Sequence, residues 1–294
     1  MSGKTVLVTG ATGGIGQVAA RTLAAEGGRV YIIGRNPEKT ERVAGEIGAA
    51  GFIVADLSVQ GDVRRAADEF RQRSGTLDVL LNNAGMIYMK REESRDGIEM
   101  TWALNHLGYF LLTNLLQDTL TGTPGARVVS VSSAAHEFGR IHWNDPEFRQ
   151  GYSPWAAYGQ SKLANILFTR ELARRLRHLG GHVTANALHP GMVATGFGQS
   201  GGLAGAAMSL LRPFSKSAEQ GAQTSIYLAS SPEVEGLSGL YFSNEQVVNT
   251  TAQALDDAAA ARLWALSEEY VGQTFPDPTR SAPTSSDPTR PAGA

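Results

Sequence analysis

Short apolar runs alternate with longer amphipathic stretches along most of the chain. Val6–Thr9, Arg29–Ile33, Gly51–Ala55, Leu77–Leu81, Arg127–Ser132, Val183–Leu188 and Leu240–Phe242 read as strands. Between them, Gly16–Glu26, Pro37–Ile47 and Ala156–His178 repeat apolar residues at helical spacing. This alternation predicts right-handed βαβ crossovers and a parallel sheet with helices on both faces. Unbroken apolar runs such as Val79-Leu80-Leu81 suit strands covered on both sides. No internal repeat or linker interrupts the pattern, so residues 1–275 are expected to form one α/β domain. Residues 276–294 hold five prolines among Ser, Thr, Asp and Gly, and are expected to be disordered; a docking role is the alternative.

Composition narrows the function classes. The 294 residues are 42% hydrophobic and 18% charged, which supplies an ordinary globular core. Lys and Arg number 26 against 28 Asp and Glu, so no basic excess marks a nucleic-acid surface. The run Arg170–Arg177, basic with interleaved apolar residues, reads as a solvated helix face. The absence of cysteine excludes disulfides, thiolate metal sites, iron–sulfur clusters and cysteine nucleophiles. His106, His136, His142, His178, His182 and His189 form no HExxH-type set; most read as loop or surface residues, and no catalytic metal is expected. No signal-peptide pattern opens the chain, and no run approaches the ~18 apolar residues of a membrane span. A cytoplasmic protein with no membrane or nucleic-acid partner is the expectation.

The first strand runs into Thr9-Gly10-Ala11-Thr12-Gly13-Gly14-Ile15-Gly16 and then a helical pattern. Glycines there permit a tight turn and close approach of backbone to a pyrophosphate, which the following helix N-terminus would hold. Strand, glycine turn and helix in that order favour nucleotide binding over a plain turn. Tyr158 and Lys162 lie four residues apart on one helix face and can meet the same ligand. A nearby ammonium would lower the phenol pKa from its usual ~10 toward a range useful for proton transfer. Taken alone, this spacing is more often that of a helix surface contact.

Taken together, the motifs resemble the short-chain dehydrogenases/reductases. The glycine turn resembles their TGxxxGIG fingerprint through Gly10, Gly14 and Gly16, and also the epimerase-like branch through Gly10, Gly13 and Gly16. Asn82-Asn83-Ala84-Gly85 resembles the compact branch's NNAG, and Asp56-Leu57 its adenine-contacting pair. Asn105, Ser132-Ser133, the YxxxK of Tyr158 and Lys162, and His189-Pro190-Gly191 follow in the family's order. The resemblance implies a single doubly wound Rossmann domain with a seven-stranded, mostly parallel sheet. It implies catalytic roles for four residues: Ser133 orients the substrate oxygen and Tyr158 exchanges its proton. Lys162 tunes Tyr158 and holds the ribose, and Asn105 anchors a relay water. Cofactor contacts are implied for Gly10, Thr12, Gly14, Ile15, Gly16, Arg35, Asp56, Leu57, Asn83, Ala84, Gly85, Tyr158, Lys162, Pro190, Gly191 and Val193.

The resemblance favours Ser133 over Ser132, because the family's serine is the second of the pair; neighbours on a strand face opposite ways, so only one of the two should face the site. At the end of the second strand, an acidic residue would bind the ribose hydroxyls of NAD; here Gly34 stands there and Arg35 follows. Arg35 suits a 2′-phosphate, so NADP(H) is expected over NAD(H). The alternative is an exposed loop arginine.

The closest resemblance is to retinol-dehydrogenase-like and WW-domain-oxidoreductase-like members, which implies an apolar aldehyde, ketone or alcohol as substrate. Asn105–Thr113, Ser132–His136, Ser161–Asn165 and Ala187–Gly191 carry it. The long stretch between Ser133 and Tyr158 holds His136, Phe138, Ile141, Trp143, Phe148, Tyr152 and Trp155. These residues could wall an apolar cleft or pin the stretch to the body. Residues 195–217 sit where the family places a substrate lid; a fixed helix with packing glycines is the other reading. Family members often pair through the helix bearing YxxxK, so a homodimer or homotetramer is compatible with the sequence, as is a monomer. A non-catalytic NADP(H)-sensing regulator on the same fold is the alternative function.

Overall fold

The computed structural model describes residues 1–178, 182–191 and 216–275. Val193, residues 195–215 of the expected lid and the tail 276–294 lie outside the described residues. The strands are β1 (Thr5–Thr9), β2 (Arg29–Gly34), β3 (Gly51–Val54), β4 (Val79–Asn82), β5 (Arg127–Val131), β6 (Thr184–His189), β7 (Tyr241–Ser243) and β8 (Gln246–Val247). They form one sheet in the order β3-β2-β1-β4-β5-β6-β7-β8. Seven strands are parallel, as expected; the eighth pairs antiparallel with β7. The sequence pattern hid β8 because it is two exposed residues long. Its hairpin turn uses Asn244 and Glu245, both at positive φ, the geometry that matches strand twist.

Alternation along the strands divides the core between the two faces of the sheet. Val6, Val8, Val30 and Ile32 point to one face. Helices α1 (Gly14–Ala25), α2 (Pro37–Ile47) and, later in the chain, Ala218–Ser230 cover that face. Leu7, Tyr31, Ile33 and Leu80 point to the other. There they meet α3 (Gln60–Arg73), α4 (Gly108–Leu115), α5 (Pro154–His178) and the C-terminal helix Asp257–Val271. We number Ala218–Ser230 as α6 and Asp257–Val271 as α7.

Helix α5 buries most of its length, because α7 lies along it. Here the structure corrects the reading of Arg170–Arg177 as a solvated face. Glu171 is 2% exposed and takes both Arg174 and Arg175, at 2.6 and 2.7 Å. The Arg175 guanidinium stacks 4.1 Å above the Trp264 ring of α7. The basic run therefore docks one helix on another, with the arginine stem and aromatic face sharing the burial.

Strand order reverses between β1 and β4, which opens a crevice at the carboxyl ends of the strands. The glycine turn, Asn83, Ser133 and Gly191 follow β1, β4, β5 and β6, so all arrive at that edge. No helix among the described residues is long and apolar enough to cross a membrane. No cluster of metal-ligating side chains occurs among them either.

Candidate active site

Two backbone segments make the floor of the crevice. Gly10 adopts φ +65° and Gly14 φ +54°, conformations that favour glycine. A Cβ on Gly10 would lie 2.7 Å from Ala84 Cα, and one on Gly16 would collide with Asn83 Nδ2. Gly13 is extended at φ −178°, and a Cβ on it would meet nothing closer than Lys39 Nζ at 3.8 Å. The conformations therefore select Gly10, Gly14 and Gly16 as the required set, the compact-branch spacing. Asn83 fastens the two segments: its Nδ2 donates to Thr9 O at 2.9 Å and Gly10 O at 3.3 Å. Thr9 Oγ1 accepts from the amides of Asn83 and Ala84, at 2.8 and 3.0 Å. Helix α1 starts here with no side-chain cap and no acidic residue in its first turn. Its free N–H groups and dipole suit an anion.

At the end of β2, a side chain on Gly34 would collide with Thr40 Oγ1 and Thr12 Cγ2. Packing thus excludes an acidic residue from that position. Arg35 is exposed, and it opposes the rise that burial imposes on the Tyr88 phenol pKa. Lys39 adds a cation the sequence reading missed: a Cβ on Gly13 would lie 3.8 Å from its Nζ. The signal was present in Asn36-Pro37. Asn36 Oδ1 caps α2 by accepting from Lys39 N at 2.8 Å, and Pro37 sits in the first turn. A helix started so abruptly carries its third residue beside the glycine turn.

Asp56 and Leu57 divide. Leu57 is buried in the core, while Asp56 Oδ1 accepts from Ser58 N at 3.0 Å and Ser58 Oγ at 2.6 Å. Thr12 lies against Gly34 and Ile15 packs on the core beneath α1. Gly191 takes φ +88° beside the Lys216 side chain, following Pro190.

The structure brings Ser133, Tyr158, Lys162 and Asn105 to one place. Ser132 and Ser133 face opposite ways, as expected: Ser132 Oγ is buried and donates to Lys162 O at 2.7 Å. The Ser133 hydroxyl hydrogen-bonds Tyr158 and favours its phenolate. Lys162 Nζ stands 5.5 Å from the Tyr158 ring centre and donates to Val131 O at 3.1 Å. Asn105 sits in a π-helical turn, Ala103–Leu107. Its amide is fixed on Met86 N and O, both at 2.9 Å, and on Ser161 Oγ at 3.0 Å. A Cβ on Gly85 would lie 3.3 Å from both Asn105 Oδ1 and Lys162 Nζ, so the two side chains converge above that glycine.

The electrostatics differ from expectation. Burial raises the Tyr158 pKa above its ordinary value, with Ser133 opposing. Burial also lowers the Lys162 pKa to about 7. Desolvation therefore dominates at both groups in the protein alone, favouring the protonated phenol and the neutral amine.

Most of the aromatic stretch before Tyr158 is pinned to the body of the protein. Ile141 and Trp143 pack on the core and Phe148 is buried. Tyr152 Oη donates to Tyr88 O at 2.8 Å. Glu147 holds the stretch down by accepting from Arg149, from Glu99 N at 3.1 Å and from Tyr270 Oη at 3.2 Å. Phe138 and Trp155 instead remain about half exposed, at 56% and 50%. Phe138 rests on Gly159, the residue after Tyr158, and Trp155 stands three residues before Tyr158 on the same helix. His136 departs from the surface position expected of most histidines, being 2% exposed, and His106 is buried as well.

A parallel sheet with a glycine turn at its switch point, beside a Ser–Tyr–Lys cluster, defines a dinucleotide-dependent oxidoreductase. Residues 4–202 match the family model described as short chain dehydrogenase. Retinol dehydrogenase 14 of Mus musculus is 42% identical over 292 residues, covering 92% of this chain and 87% of the relative. Among solved structures, an uncharacterized protein from Mycobacterium paratuberculosis aligns with TM-score 0.77 and 37% identity, covering 94% of this chain and 96% of that one. A short-chain dehydrogenase from Burkholderia cenocepacia, solved with NADP, aligns with TM-score 0.66 and 28% identity over 82% of this chain and 96% of its own. The chain belongs to the short-chain dehydrogenase family.

Proposed function

We propose that the protein is an NADP(H)-dependent oxidoreductase that interconverts a ketone or aldehyde with its alcohol, acting on an apolar substrate. The convergence of Ser133, Tyr158 and Lys162 at the carboxyl end of β5, beside the glycine turn, carries this reading. The cofactor fits the residues present: Gly10 and Gly16 leave a close-packed floor, and the uncapped start of α1 leaves donors for its pyrophosphate. Arg35 and Lys39 would receive the 2′-phosphate, and the crowding at Gly34 leaves no place for the acidic residue NAD would want. The Burkholderia relative's complex with NADP agrees.

When bound, the cofactor supplies or accepts the hydride. Ser133 Oγ accepts the Ala135 amide at 3.2 Å, and the proton it offers Tyr158 in the free protein would turn to the substrate oxygen. In the reducing direction Tyr158 donates its proton to that oxygen, a role suited to a phenol that burial keeps protonated. Lys162 and Asn105, converging above Gly85, form the side from which the proton is replaced. Met86, bound through its backbone to Asn105, and Phe138, on Gly159, are exposed apolar groups that, with Trp155 earlier on the same helix as Tyr158, would receive an apolar substrate body.

The test is NADPH consumption across aldehydes and ketones graded from small and polar to bulky and apolar. Turnover should rise with apolar bulk. Tyr158→Phe should lower kcat by roughly 10²–10⁴-fold while NADPH affinity stays within about twofold of the wild type, a limit set by the phenol's lying outside the phosphate-binding floor. Undiminished turnover in that variant would reject the assignment. Tight NADPH binding with no turnover on any carbonyl would favour a cofactor-sensing protein instead.

A further inference from the structure

The peptide joining Ser133 to Ala134 is held from both sides by histidines. The Ser133 carbonyl accepts from the His136 backbone N–H at 3.1 Å and lies 2.8 Å from His136 Nδ1. A carbonyl can only accept, so Nδ1 carries the ring proton and Nε2 is the acceptor. Nε2 in turn lies 2.7 Å from Thr250 Oγ1, which donates to it. On the opposite side of the same peptide, Ala134 N–H donates to His189 Nδ1 at 3.2 Å. His189 Nδ1 also accepts from Gly191 N at 3.3 Å. The Tyr241 ring closes the cluster, edge-on to His136 at 4.9 Å.

We propose that His136, braced by Thr250 and opposed by His189, is the positioning residue that fixes the Ser133 hydroxyl for the substrate oxygen. This rests on the reading of Ser133 given above. The physical argument is the loss of freedom. Ser133 lies two residues beyond Val131, the last of β5, and past the final bond to β6, from Ser132 N to Leu188 O at 2.7 Å; it opens a single 3₁₀ turn, Ala134–Glu137. Such a turn is weak by itself. Three donors and acceptors on one peptide plane prevent its rotation, so the Ser133 side chain leaves the strand in one direction. A reacting group misplaced by ~1 Å costs on the order of 100-fold in rate, so a brace of this kind has catalytic consequence without touching substrate.

The chemistry of the brace sets the test. Asn at position 136 can place its amide nitrogen near Nδ1 and keep the bond to Ser133 O. Gln reaches toward Thr250 and abandons that bond. His136→Ala and His136→Gln should lower kcat about tenfold or more, with NADPH affinity changed less than about twofold, while His136→Asn retains most of the turnover. The same His136→Ala change in a Ser133→Ala background should cost less than about twofold in single-turnover rate, because the group it positions is gone. Hydrogen exchange of the Ala134 and Ala135 amides should quicken in His136→Ala and His136→Gln but not in His136→Asn, whether or not a substrate is in hand.

Equal fold-losses in both backgrounds, or an Asn variant as impaired as the Gln variant, would show a merely structural histidine and overturn the proposal. Unchanged turnover in His136→Ala would also overturn it. If Ser133→Ala itself leaves turnover intact, the reading of Ser133 fails and takes the inference with it. Melting curves of each variant separate loss of fold from loss of positioning.

Discussion

The glycine turn and the Asn82–Gly85 segment meet backbone to backbone, whereas the surroundings of Ser133 and Tyr158 are set by side chains drawn from far along the chain. On the first flank, Gly10, Gly16 and Ala84 touch where no side chain would fit, and one amide, Asn83, closes the joint. On the second flank, His136 meets Thr250, and Glu147 meets Tyr270. Backbone contact of the first kind demands particular residues at fixed spacing. Side-chain bracing of the second kind can be achieved by many combinations. A cofactor that does not change from protein to protein suits the first construction, and a substrate that does change suits the second.

The largest effect should come from breaking the backbone joint. Gly16→Ala places a Cβ against Asn83 Nδ2 and 2.6 Å from Gly10 O, with no flexible atom to yield at the carbonyl. We expect a loss of about 3 kcal/mol in stability, typical of overpacking, together with loss of NADPH binding. Gly13→Ala, whose Cβ would make only an ordinary contact with Lys39 Nζ at 3.8 Å, should retain both. Thermal melts and nucleotide titration of the pair check this. Equal behaviour of the two variants would break the distinction between required and permissive glycines.

That distinction also marks where the sequence could be read. The strand–turn–helix pattern gave β1 and α1 because apolar period and glycine chemistry are local. It could not separate Gly13 from Gly14, since both lie in the turn and only their φ angles, −178° against +54°, tell them apart. Tyr158 and Lys162 were legible because four residues on a helix fix their mutual position. The sign of the phenol shift was not, because burial depends on Ile87, Ala135 and Met89, which pack beside Tyr158. His136 and Thr250 are separated by 114 residues and share no local pattern. Arg170–Arg177 misled for the same reason: the partner that buries it, Trp264, lies in another helix.

A smaller effect sharpens the cofactor flank. Arg35→Ala with Lys39→Ala should raise the Michaelis constant for NADPH by roughly 10-fold or more and leave that for NADH within about twofold, because each cation contributes on the order of 1.5–3 kcal/mol only when a phosphate is present. A parallel rise for both cofactors would remove the 2′-phosphate assignment. On the substrate flank, Phe138→Ala and Trp155→Ala should each weaken the Michaelis constant for bulky apolar carbonyls by about 3- to 10-fold, the value of a partly buried apolar side chain. Melting temperatures should stay put, since both residues are half exposed. Glu147→Gln should do the opposite, lowering the melting temperature by loosening the stretch that Arg149 and Tyr270 hold.

The smallest effect asks whether the catalytic flank carries a charge the fold resists. Burial lowers the Lys162 pKa from its ordinary 10.5 to about 7. Between pH 7 and 10 the unfolded chain still holds this proton while the folded protein has released it. Unfolding in that window therefore takes up a proton, and raising the pH stabilises the fold. Below pH 7 both states carry the proton, and this contribution no longer varies. Lys162→Met keeps the volume of the side chain and removes the charge, while Val131 O retains the Asn165 amide at 3.2 Å. The variant should melt about 5 °C above the wild-type protein without cofactor at pH 7, and the gap should close as the pH approaches 10. Other titrating groups act on both proteins alike and cancel in the difference. Melting curves that run parallel from pH 7 to 10 would show that Lys162 keeps its proton in the folded state, and that the catalytic flank costs the fold no more than the cofactor flank does.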